Sequence, residues 1–543
     1  MKQPFTLQGN IVDLFSRRIF RGSVTVMLGK IEQVDEHGDV DPALLYILPG
    51  FIDSHVHIES SMLPPSEFAR MAVLHGTVGT ISDPHEIANV CGMEGVEFML
   101  NNAKSVPFKC CFGAPSCVPA TIFETAGASL SPADVEALLK HPDIYYLSEM
   151  MNFPGVLNRD PEVMAKIESA KKIGKPVDGH APGLRGEAAK NYIQAGISTD
   201  HECFQLDEAK EKLSMGMKIL IREGSAAKNF DTLIPLMKTD AKELMFCSDD
   251  KHPDSLLEGH INQLCARAIA AGMDVFDVLH AACIHPVLHY NMPVGLLRAG
   301  DAADFIVVEN LTDFKVSSTF IDGELVADQG QPLIPRNPVS CINQFNIGPK
   351  QEADFHWPYR GENTIAVIEA WDGQLITGYG QGIPTISEGK LVSNPEQDLL
   401  KIAVINRYNE APVAMAFIRN IGLKKGAIGS TVAHDSHNLV VVGTDDASIC
   451  RIANELIACK GGLGATDGIE DHVLPLPIAG LMSDRDGFEV AAQYTQLDQW
   501  VKQSLGSTLQ SPFMTLSFMA LLVIPRLKLS DKGLFDGETF AFV

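Results

Sequence analysis

The sequence predicts an α/β protein that combines a TIM-like (β/α)8 barrel, a small β domain built from both flanks of the barrel, and a C-terminal α/β domain. Two observations support this prediction. Short apolar segments alternate with longer amphipathic ones between about residues 48 and 293, and hairpin-like patterns stand on either side of that region. We therefore predict residues 1–47 and 294–345 as the two parts of the small domain, 48–293 as the barrel, and 346–543 as the C-terminal domain.

The first flank alternates apolar and polar residues around turn residues. Residues 7–13, 22–27 and 30–34 show this pattern, which is typical of short strands joined in hairpins. A similar pattern returns far downstream, at 304–308 and 318–326. The simplest explanation is one β domain that contains both flanks, with a larger domain inserted between them.

Eight candidate strands lie in the inserted region, and most of them run into polar or charged residues. They are residues 47–52, 76–81, 109–113, 144–147, 176–177, 197–199, 218–221 and 244–247. Eight strand–helix units in a region of this length match a (β/α)8 barrel, whose active site lies at the C-terminal ends of its strands. The polar residues cluster at those ends.

The last part of the chain has a mixed α/β pattern. We predict strands at 364–368 and 438–442, a helix at 447–459, a turn-rich segment at 424–429, and loops at 475–480 and 512–515. No repeat relates this part to the earlier ones.

The charge balance argues against a polyanionic partner. The chain has 68 acidic and 43 basic residues and a net charge of −25, which repels nucleic-acid phosphates and anionic membrane surfaces. Apolar runs such as 516–525 are far shorter than the ~20 residues of a membrane helix, and residues 1–10 lack the pattern of an export or transit signal. We therefore expect a cytoplasmic enzyme with a small-molecule substrate and no nucleic-acid or membrane partner.

The eleven cysteines have no repeated spacing, and no C-x-x-C pair occurs. In a long chain without an export signal, this usage indicates reduced thiols and not a disulfide framework or a zinc–cysteine site.

The strongest chemical signal is the sequence His55-Val56-His57, which follows the first candidate barrel strand. Residues i and i+2 of a strand face the same side, so both imidazoles can reach one cation; the alternative is a pair of exposed loop histidines. His180, His201 and Asp249 each follow a later candidate strand. A barrel would gather these five residues at one mouth, and imidazoles with a carboxylate suit zinc, iron, manganese or nickel.

Glu149 follows the fourth candidate strand. Two metals would need a bridging anion, and the two oxygens of this carboxylate can link two cations without modification. The alternative is a surface acid at the end of a strand.

Longer motifs carry a resemblance to a known family. They are HVHIESSM at 55–62, DPHEIAN at 83–89, FCSDD at 246–250, AHDSHN at 433–438 and LPIAGLMSD at 476–484. Together with Pro49 to His57 and GLLRAGDAAD at 295–304, they resemble the metal-dependent amidohydrolase superfamily and, within it, the bacterial adenine deaminases. The likeness spans both the predicted barrel and the C-terminal domain.

This resemblance implies a hydrolase of purine salvage that converts adenine to hypoxanthine and ammonia at a site with two divalent metals. It implies that one metal takes His55, His57 and Asp249, that the other takes His180 and His201, and that Glu149 is shared. Relatives often use a carboxylated lysine as the bridge, but no lysine follows Leu147 here. Family members are typically active with manganese or iron, so we expect these metals ahead of zinc.

The implied chemistry needs two proton transfers. A hydroxide held by the metals would attack C6 of adenine, and Asp249 would accept its proton and pass it to the departing amine. A second acid should face ring nitrogen N1. Our candidate is Glu86, with Glu59 as the next choice, and Asp83 and His85 would orient the base. The alternative for 83–86 is a helix cap.

His434 and His437 stand three residues apart in the predicted C-terminal domain. They could bind another metal, close over the pocket, or form a structural pair. For the whole protein the alternatives are another cyclic amidohydrolase, which would share the metals but not the substrate, and a non-catalytic scaffold, which the complete ligand set argues against. We also expect a homo-oligomer.

Overall fold

The structure, a computed structural model, describes residues 4–543. Four strands come first, in the part of the chain where apolar and polar residues alternate. They are β1 (Phe5–Asp13), β2 (Arg18–Met27), β3 (Lys30–Gly38) and β4 (Tyr46–Pro49). β1 pairs with β2 and β2 with β3 in antiparallel hairpins, whereas β4 runs parallel to β1.

Eight short strands follow, and most of their residues are buried on both faces. They are β5 (Phe51–Val56), β6 (Thr77–Ser82), β7 (Lys109–Ala114), β8 (Ile144–Met150), β9 (Val177–Gly179), β10 (Thr199–Asp200), β11 (Lys218–Arg222) and β12 (Leu244–Cys247). They form two parallel sheets with the orders β5-β6-β7-β8-β9 and β10-β11-β12. Continuous burial explains why they appear in the sequence as apolar runs and not as alternating patterns.

At least one α-helix separates each of these strands from the next, and helices also follow the last strand. The helices are α1 (Pro65–Ala72), α2 (His85–Ala103), α3 (Pro132–Leu139), α4 (Phe153–Leu157), α5 (Pro161–Ile173), α6 (Gly186–Gln194), α7 (Leu206–Ser214), α8 (Phe230–Leu233), α9 (Met237–Asp240), α10 (Pro253–Glu258), α11 (Ile261–Ala270), α12 (Val275–Leu279) and α13 (His285–Tyr290). Several begin with proline, whose fixed φ suits the first helical position.

The edges of the two parallel sheets lie against each other. The Asp249 backbone N–H, just beyond the end of β12, donates to the carbonyl oxygen of His55 in β5 at 2.9 Å. At the other edges, the Ser198 N–H donates to the Val177 carbonyl oxygen at 2.9 Å. The first bond brings the C-terminal ends of β5 and β12 together, and the second joins the edges at β9 and β10.

The chain then returns to the first sheet. The strands β13 (Phe305–Val308), β14 (Val316–Ile321), β15 (Glu324–Asp328) and β16 (Gln331–Pro332) extend it to the order β16-β15-β14-β13-β4-β1-β2-β3. One eight-stranded sheet thus contains strands from both flanks, as the repeated hairpin pattern predicts.

Residues 346–543, which we call the C-terminal block, contain the remaining elements. The helices are α14 (Asp446–Ala458), α15 (Gly487–Trp500) and α16 (Pro512–Ser517). The strands are β17 (Trp357–Pro358), β18 (Ile365–Ala370), β19 (Thr377–Gly382), β20 (Thr385–Ser387), β21 (Lys390–Val392), β22 (Leu400–Ile405), β23 (Ala414–Arg419), β24 (Ala427–Ser430), β25 (Leu439–Gly443), β26 (Gly462–Thr466), β27 (Asp471–Pro475), β28 (Leu527–Ser530), β29 (Gly533–Asp536) and β30 (Ala541–Phe542). Eight of them form one sheet, β19-β18-β23-β22-β25-β24-β26-β27.

The C-terminal block packs on the segment that carries the parallel sheets. The Ser483 N–H donates to the Met62 carbonyl oxygen at 2.8 Å, and the buried His252 Nδ1 lies 2.6 Å from the Tyr494 hydroxyl. Arg70 bridges Glu67 to Asp486 of the block, 2.8 Å away. These contacts hold the block over the C-terminal ends of the strands.

Three local predictions were wrong. The first candidate barrel strand is two strands, β4 and β5, separated by Gly50, where an added Cβ would lie 2.3 Å from the Val78 side chain. The predicted loop at 512–515 is the start of α16, where Pro512 occupies the first turn. The turn-rich segment 424–429 runs into β24.

The fold can be compared with two further expectations, one on the cysteines and one on membrane-spanning helices. All eleven cysteines lie within residues 4–543, and each is a free thiol. None of the helices in that range is both long and apolar enough to span a bilayer.

Candidate metal centre and active site

The six predicted metal ligands converge at the C-terminal ends of the parallel strands. His55 lies within β5 and Glu149 within β8, and the other four follow the ends of strands. All six are buried; the most exposed, His180, retains 7% of its accessible surface. Five separate strands thus deliver carboxylates and imidazoles to one point, which is the arrangement expected at the mouth of a barrel.

One group of ligands surrounds His57. Its Nε2 lies 3.2 Å from His55 Nε2, 3.2 Å from Asp249 Oδ1 and 3.1 Å from Glu149 Oε1. On the far side of the ring, His57 Nδ1 lies 3.2 Å from the Asp83 carbonyl oxygen, to which it can donate. A backbone acceptor behind a ligating imidazole fixes the ring so that Nε2 faces a metal.

The other group surrounds the second oxygen of Glu149. Glu149 Oε2 lies 2.7 Å from His180 Nδ1 and 3.2 Å from His201 Nε2. The two carboxylate oxygens of Glu149 therefore face different sets of imidazoles. This is the geometry that a carboxylate shared by two cations requires.

The electrostatic field at this point favours positive charge. Burial lowers the pKa of His180, but Glu149 and Glu202 outweigh burial and raise it to about 9. His57 shows the same balance: burial lowers its pKa, whereas contacts with Asp249 and Glu149 raise it well above the usual value.

The donor atoms at this centre fit a divalent metal. The ring nitrogens that face the other ligands are His55 Nε2, 3.2 Å from His57 Nε2, and His180 Nδ1, 2.7 Å from Glu149 Oε2. The residues also form overlapping groups of buried nitrogen and oxygen atoms close enough to share an ion, such as His55 with His57 and Asp249. Imidazole and carboxylate ligands of this kind suit transition metals such as manganese, iron and zinc.

A cavity lies directly above the ligands, and its wall is completed by the C-terminal block. The residues that line it are His57, His85, Glu86, Glu149, Met151, His180, His201, Glu202, Arg222, Asp249, Asp250, Leu375, His434, Asp435, Phe518 and Leu521. A larger and mainly apolar cavity of about 330 Å³ adjoins it and shares His201, Glu202, Arg222 and Leu375 with it. The two cavities therefore adjoin beside the ligands, with the mainly apolar one next to the polar one.

Glu202, Arg222 and Asp250 also line the site, although we did not predict them as site residues. The buried Arg222 guanidinium contacts the carboxylates of both Glu202 and Asp249, and these charges raise its pKa although burial lowers it. A signal did exist: Arg222 is a polar residue at the end of a predicted strand, and Glu202 directly follows a predicted ligand. The pairing between them spans 20 residues and is not visible in the sequence.

The three residues predicted to contact substrate occupy different positions. His85 lines the cavity, with Nε2 3.6 Å from Asp435 Oδ1. Asp83 lies behind it, and its Oδ1 accepts from the His85 backbone N–H at 3.1 Å, as expected for a residue that precedes a helix. Glu59 is buried beside α2, where its Oε1 accepts from the Ile87 N–H at 3.2 Å; burial raises its pKa to about 7. Glu59 is absent from the cavity lining given above.

Glu86 and the two histidines of the C-terminal block form one buried cluster. His434 Nδ1 contacts Glu86 Oε1, and His437 Nε2 contacts Glu86 Oε2. Burial raises the pKa of Glu86, but the two imidazoles outweigh burial and hold it well below the usual value. Glu86 is therefore an ionised carboxylate that joins α2 to the C-terminal block.

Two family models match separate parts of the chain. Residues 46–326 match the model of the amidohydrolase family. Residues 374–541 match the model of the adenine deaminase C-terminal domain.

Several curated relatives align with nearly the whole chain. It is 56% identical to a protein named adenine deaminase from Sulfurovum sp. (strain NBC37-1), and the alignment covers 99% of each chain. It is 54% identical to an adenine deaminase of Salinibacter ruber, over 100% of this chain and 99% of the relative. It is also 53% identical to one from Methanosarcina mazei, over 98% of each chain.

Proposed function

Because this chain belongs to the adenine deaminase family, we propose that it hydrolyses adenine to hypoxanthine and ammonia, a reaction of purine salvage, at the buried centre around Glu149. The observation that carries the proposal is the position of Glu149, whose two oxygens face separate groups of imidazoles on the floor of the cavity. A shared carboxylate of this kind suits a metal-dependent hydrolase that acts on a small molecule.

The finer architecture is part of the proposal. The two parallel sheets would form one closed (β/α)8 barrel, supported by the hydrogen bonds between their edges at Asp249 and His55 and at Ser198 and Val177. Residues 48–293 would then be the catalytic barrel, 1–47 and 294–345 the small domain, and 346–543 the C-terminal domain. The shared eight-stranded sheet of the two flanks supports this division.

Two divalent cations, manganese or iron ahead of zinc, would be held by the six ligands. His55, His57, Asp249 and one oxygen of Glu149 would hold the first, and His180, His201 and the other oxygen of Glu149 the second. When bound, such cations supply a nucleophile near neutral pH, because coordination lowers the pKa of water from 15.7 to about 7.

The chain's own residues would position the substrate and move protons. Asp249 faces the cavity with Oδ1 towards His57 and contacts Arg222 through Oδ2. It would accept a proton from the attacking water and deliver it to the exocyclic amine as the C6–N bond breaks. His85, supported by Asp83, would contact the base at the side of the cavity. Glu86, which the sequence predicts as the acid at N1, lines the same cavity.

The competing proposal is a related hydrolase that uses the same centre to cleave a ring amide. Ammonia release separates the two. We expect purified protein to release ammonia from adenine and not from guanine, cytosine or a set of ring amides. The Asp249→Asn variant is the control, because it should abolish the release if the reaction occurs at this centre. Hydrolysis of a ring amide with no ammonia from adenine would refute the proposal.

A further inference from the structure

The buried cluster around Glu86 leaves one nitrogen of His434 free. His434 lines the cavity, and its Nδ1 is bound to Glu86. Among the described residues, its Nε2 is buried and has no hydrogen-bond partner; Asp250 Oδ1 lies 3.9 Å away. A ring nitrogen in this state is available to a molecule in the cavity.

Glu86 itself is poorly placed to serve as an acid. Each of its carboxylate oxygens contacts an imidazole nitrogen, and its pKa is held well below the usual value by those imidazoles in spite of burial. It therefore carries no proton to donate near neutral pH. Its charge instead orients the ring of His434 and favours the imidazolium form.

His437 shows that this cluster is a hydrogen-bonded anchor and not a further metal site. The Ala433 backbone N–H donates to His437 Nδ1 at 3.1 Å. Because Nδ1 accepts, the proton of the neutral ring is on Nε2, where it is donated to Glu86. A metal at Nε2 would need that lone pair and would leave Nδ1 as a donor, facing another donor.

We propose, on the basis of the function proposed above, that His434 is the catalytic residue that protonates N1 of adenine, and that Glu86 is a positioning residue that acts through it. The Phe518 ring, stacked at 5.1 Å and 23° on His434, fixes the plane of the imidazole. The C-terminal block would then supply a reacting group as well as a wall of the cavity.

The proton count of the reaction balances with this assignment. Water oxygen forms a bond to C6 while the electrons of the N1–C6 double bond move to N1, which takes the proton of His434 Nε2. One proton of the water passes through Asp249 to the amine, and the C6–N bond breaks to release ammonia. The other water proton leaves the C6 hydroxyl as the carbonyl forms, and solvent returns a proton to His434. Both protons of water are thus accounted for, one on ammonia and one on N1.

The charged groups around His434 favour a protonated ring. Burial lowers its pKa, but Glu86, Asp250 and Asp435 outweigh burial and raise it to about 9. The other titratable groups near the ring are His437 and His252, whose pKa values burial lowers. His434 can therefore carry the proton that N1 receives near neutral pH.

Chemical rescue tests the assignment. We expect His434→Ala to keep the wild-type metal content and to lose about 10²–10⁴-fold in kcat, the usual contribution of a general acid. Added imidazole should restore part of this loss, because the small molecule can occupy the vacated space and donate the proton. The control is His472→Ala, which removes a half-exposed histidine of the same block; it should keep full activity and show no response to imidazole.

A pH profile tests the role of Glu86. Glu86→Gln removes the negative charge beside His434, so the pKa of the ring should fall and the alkaline limb of kcat/KM should move to lower pH. His434→Gln serves if the alanine variant does not fold. Activity of a His434 variant within a few-fold of wild type, or a loss without rescue together with an unmoved limb in Glu86→Gln, would overturn the proposal. Wild-type protein that releases no ammonia from adenine would instead refute the proposed function.

Discussion

At the scale of single residues, Glu149 has the most demanding position, because each of its oxygens faces a different group of imidazoles. We expect Glu149→Gln to lose at least one metal, since a neutral amide cannot bridge two cations as a carboxylate does. Metal analysis of the purified variant measures this directly. The exposed Glu187→Gln is the control and should keep the wild-type content. Two metals per chain in Glu149→Gln would show that Glu149 is not the bridge.

Arg222 is the buried cation of the site, in contact with Glu202 and Asp249. Arg222→Met leaves both carboxylates without this partner, and breaking a buried ion pair from one side costs about 3–5 kcal/mol. We expect a loss of that size in the free energy of unfolding, measured with denaturant. Arg185→Met, which removes an exposed pair with Asp207 and Glu211, should leave the free energy of unfolding nearly unchanged, because exposed ion pairs contribute little. An equal, small effect in both variants would contradict the role of Arg222.

The sequence was sufficient to predict which residues meet at the centre, because the ligands are polar residues at the ends of apolar strands. The sequence was insufficient to predict the ion pairs of Arg222 and the contact between Glu86 and His434. Both depend on contacts between residues distant in the chain; His434 and Glu86 are 348 positions apart. The sequence shows the motif around His434, but it leaves three interpretations: another metal site, closure over the pocket, or a structural pair. These differ only in which residues the two histidines contact, and the fold determines those contacts.

At the scale of elements, the loop between β7 and α3 joins the segment that carries the parallel sheets to the C-terminal block. Its Thr125 N–H donates to Asp531 at 2.8 Å. Beside it, the buried Glu124 has a pKa of about 8, raised first by burial and then by the charge of Asp435. The folded pKa is above the unfolded value of about 4.3. The contribution of the protonated Glu124 carboxyl to the free energy of unfolding is therefore fully present below about pH 4.3 and is lost as the pH rises towards 8.

Glu124→Gln should remove this pH dependence, because an amide resembles the protonated acid and cannot ionise. We expect the melting temperature of the variant to exceed that of wild type at pH 8.5 and to match it or lie below it at pH 5. Thermal unfolding at the two pH values gives the comparison, with the exposed Glu187→Gln as a control that should follow wild type. A constant difference between variant and wild type at both pH values would contradict the raised pKa.

The sequence predicts elements with a clear hydrophobic pattern well, and it predicts elements with special local chemistry less well. The strands of the two parallel sheets are recognisable because burial on both faces makes them continuous apolar runs. The pattern around Pro512 predicts a loop, yet proline also suits the first turn of a helix. Only the packing of the residues that follow decides between the two, and α16 is buried.

At the scale of the whole molecule, bound metal should stabilise the fold, because the ligands come from five separate strands. A ligand that binds only the folded state adds about 2.7 kcal/mol at a concentration 100 times its Kd. We expect chelation to abolish activity and to lower the melting temperature, and manganese or ferrous iron to restore both. Full activity in a sample shown to be free of metal would refute a metal-dependent mechanism. The homo-oligomer and the cytoplasmic location stay predictions.

The wall that the C-terminal block adds to the cavity has a consequence for synthesis on the ribosome. Asp249 precedes His434 by 185 residues, which take about 10–40 s to translate at roughly 5–20 residues per second. If the segment that carries the ligands folds as it emerges, it would spend that interval with its ligands open to the surrounding ions and without His434. Metal loading would come first and the proton donor last, so that the growing chain acquires activity only after its centre has been filled.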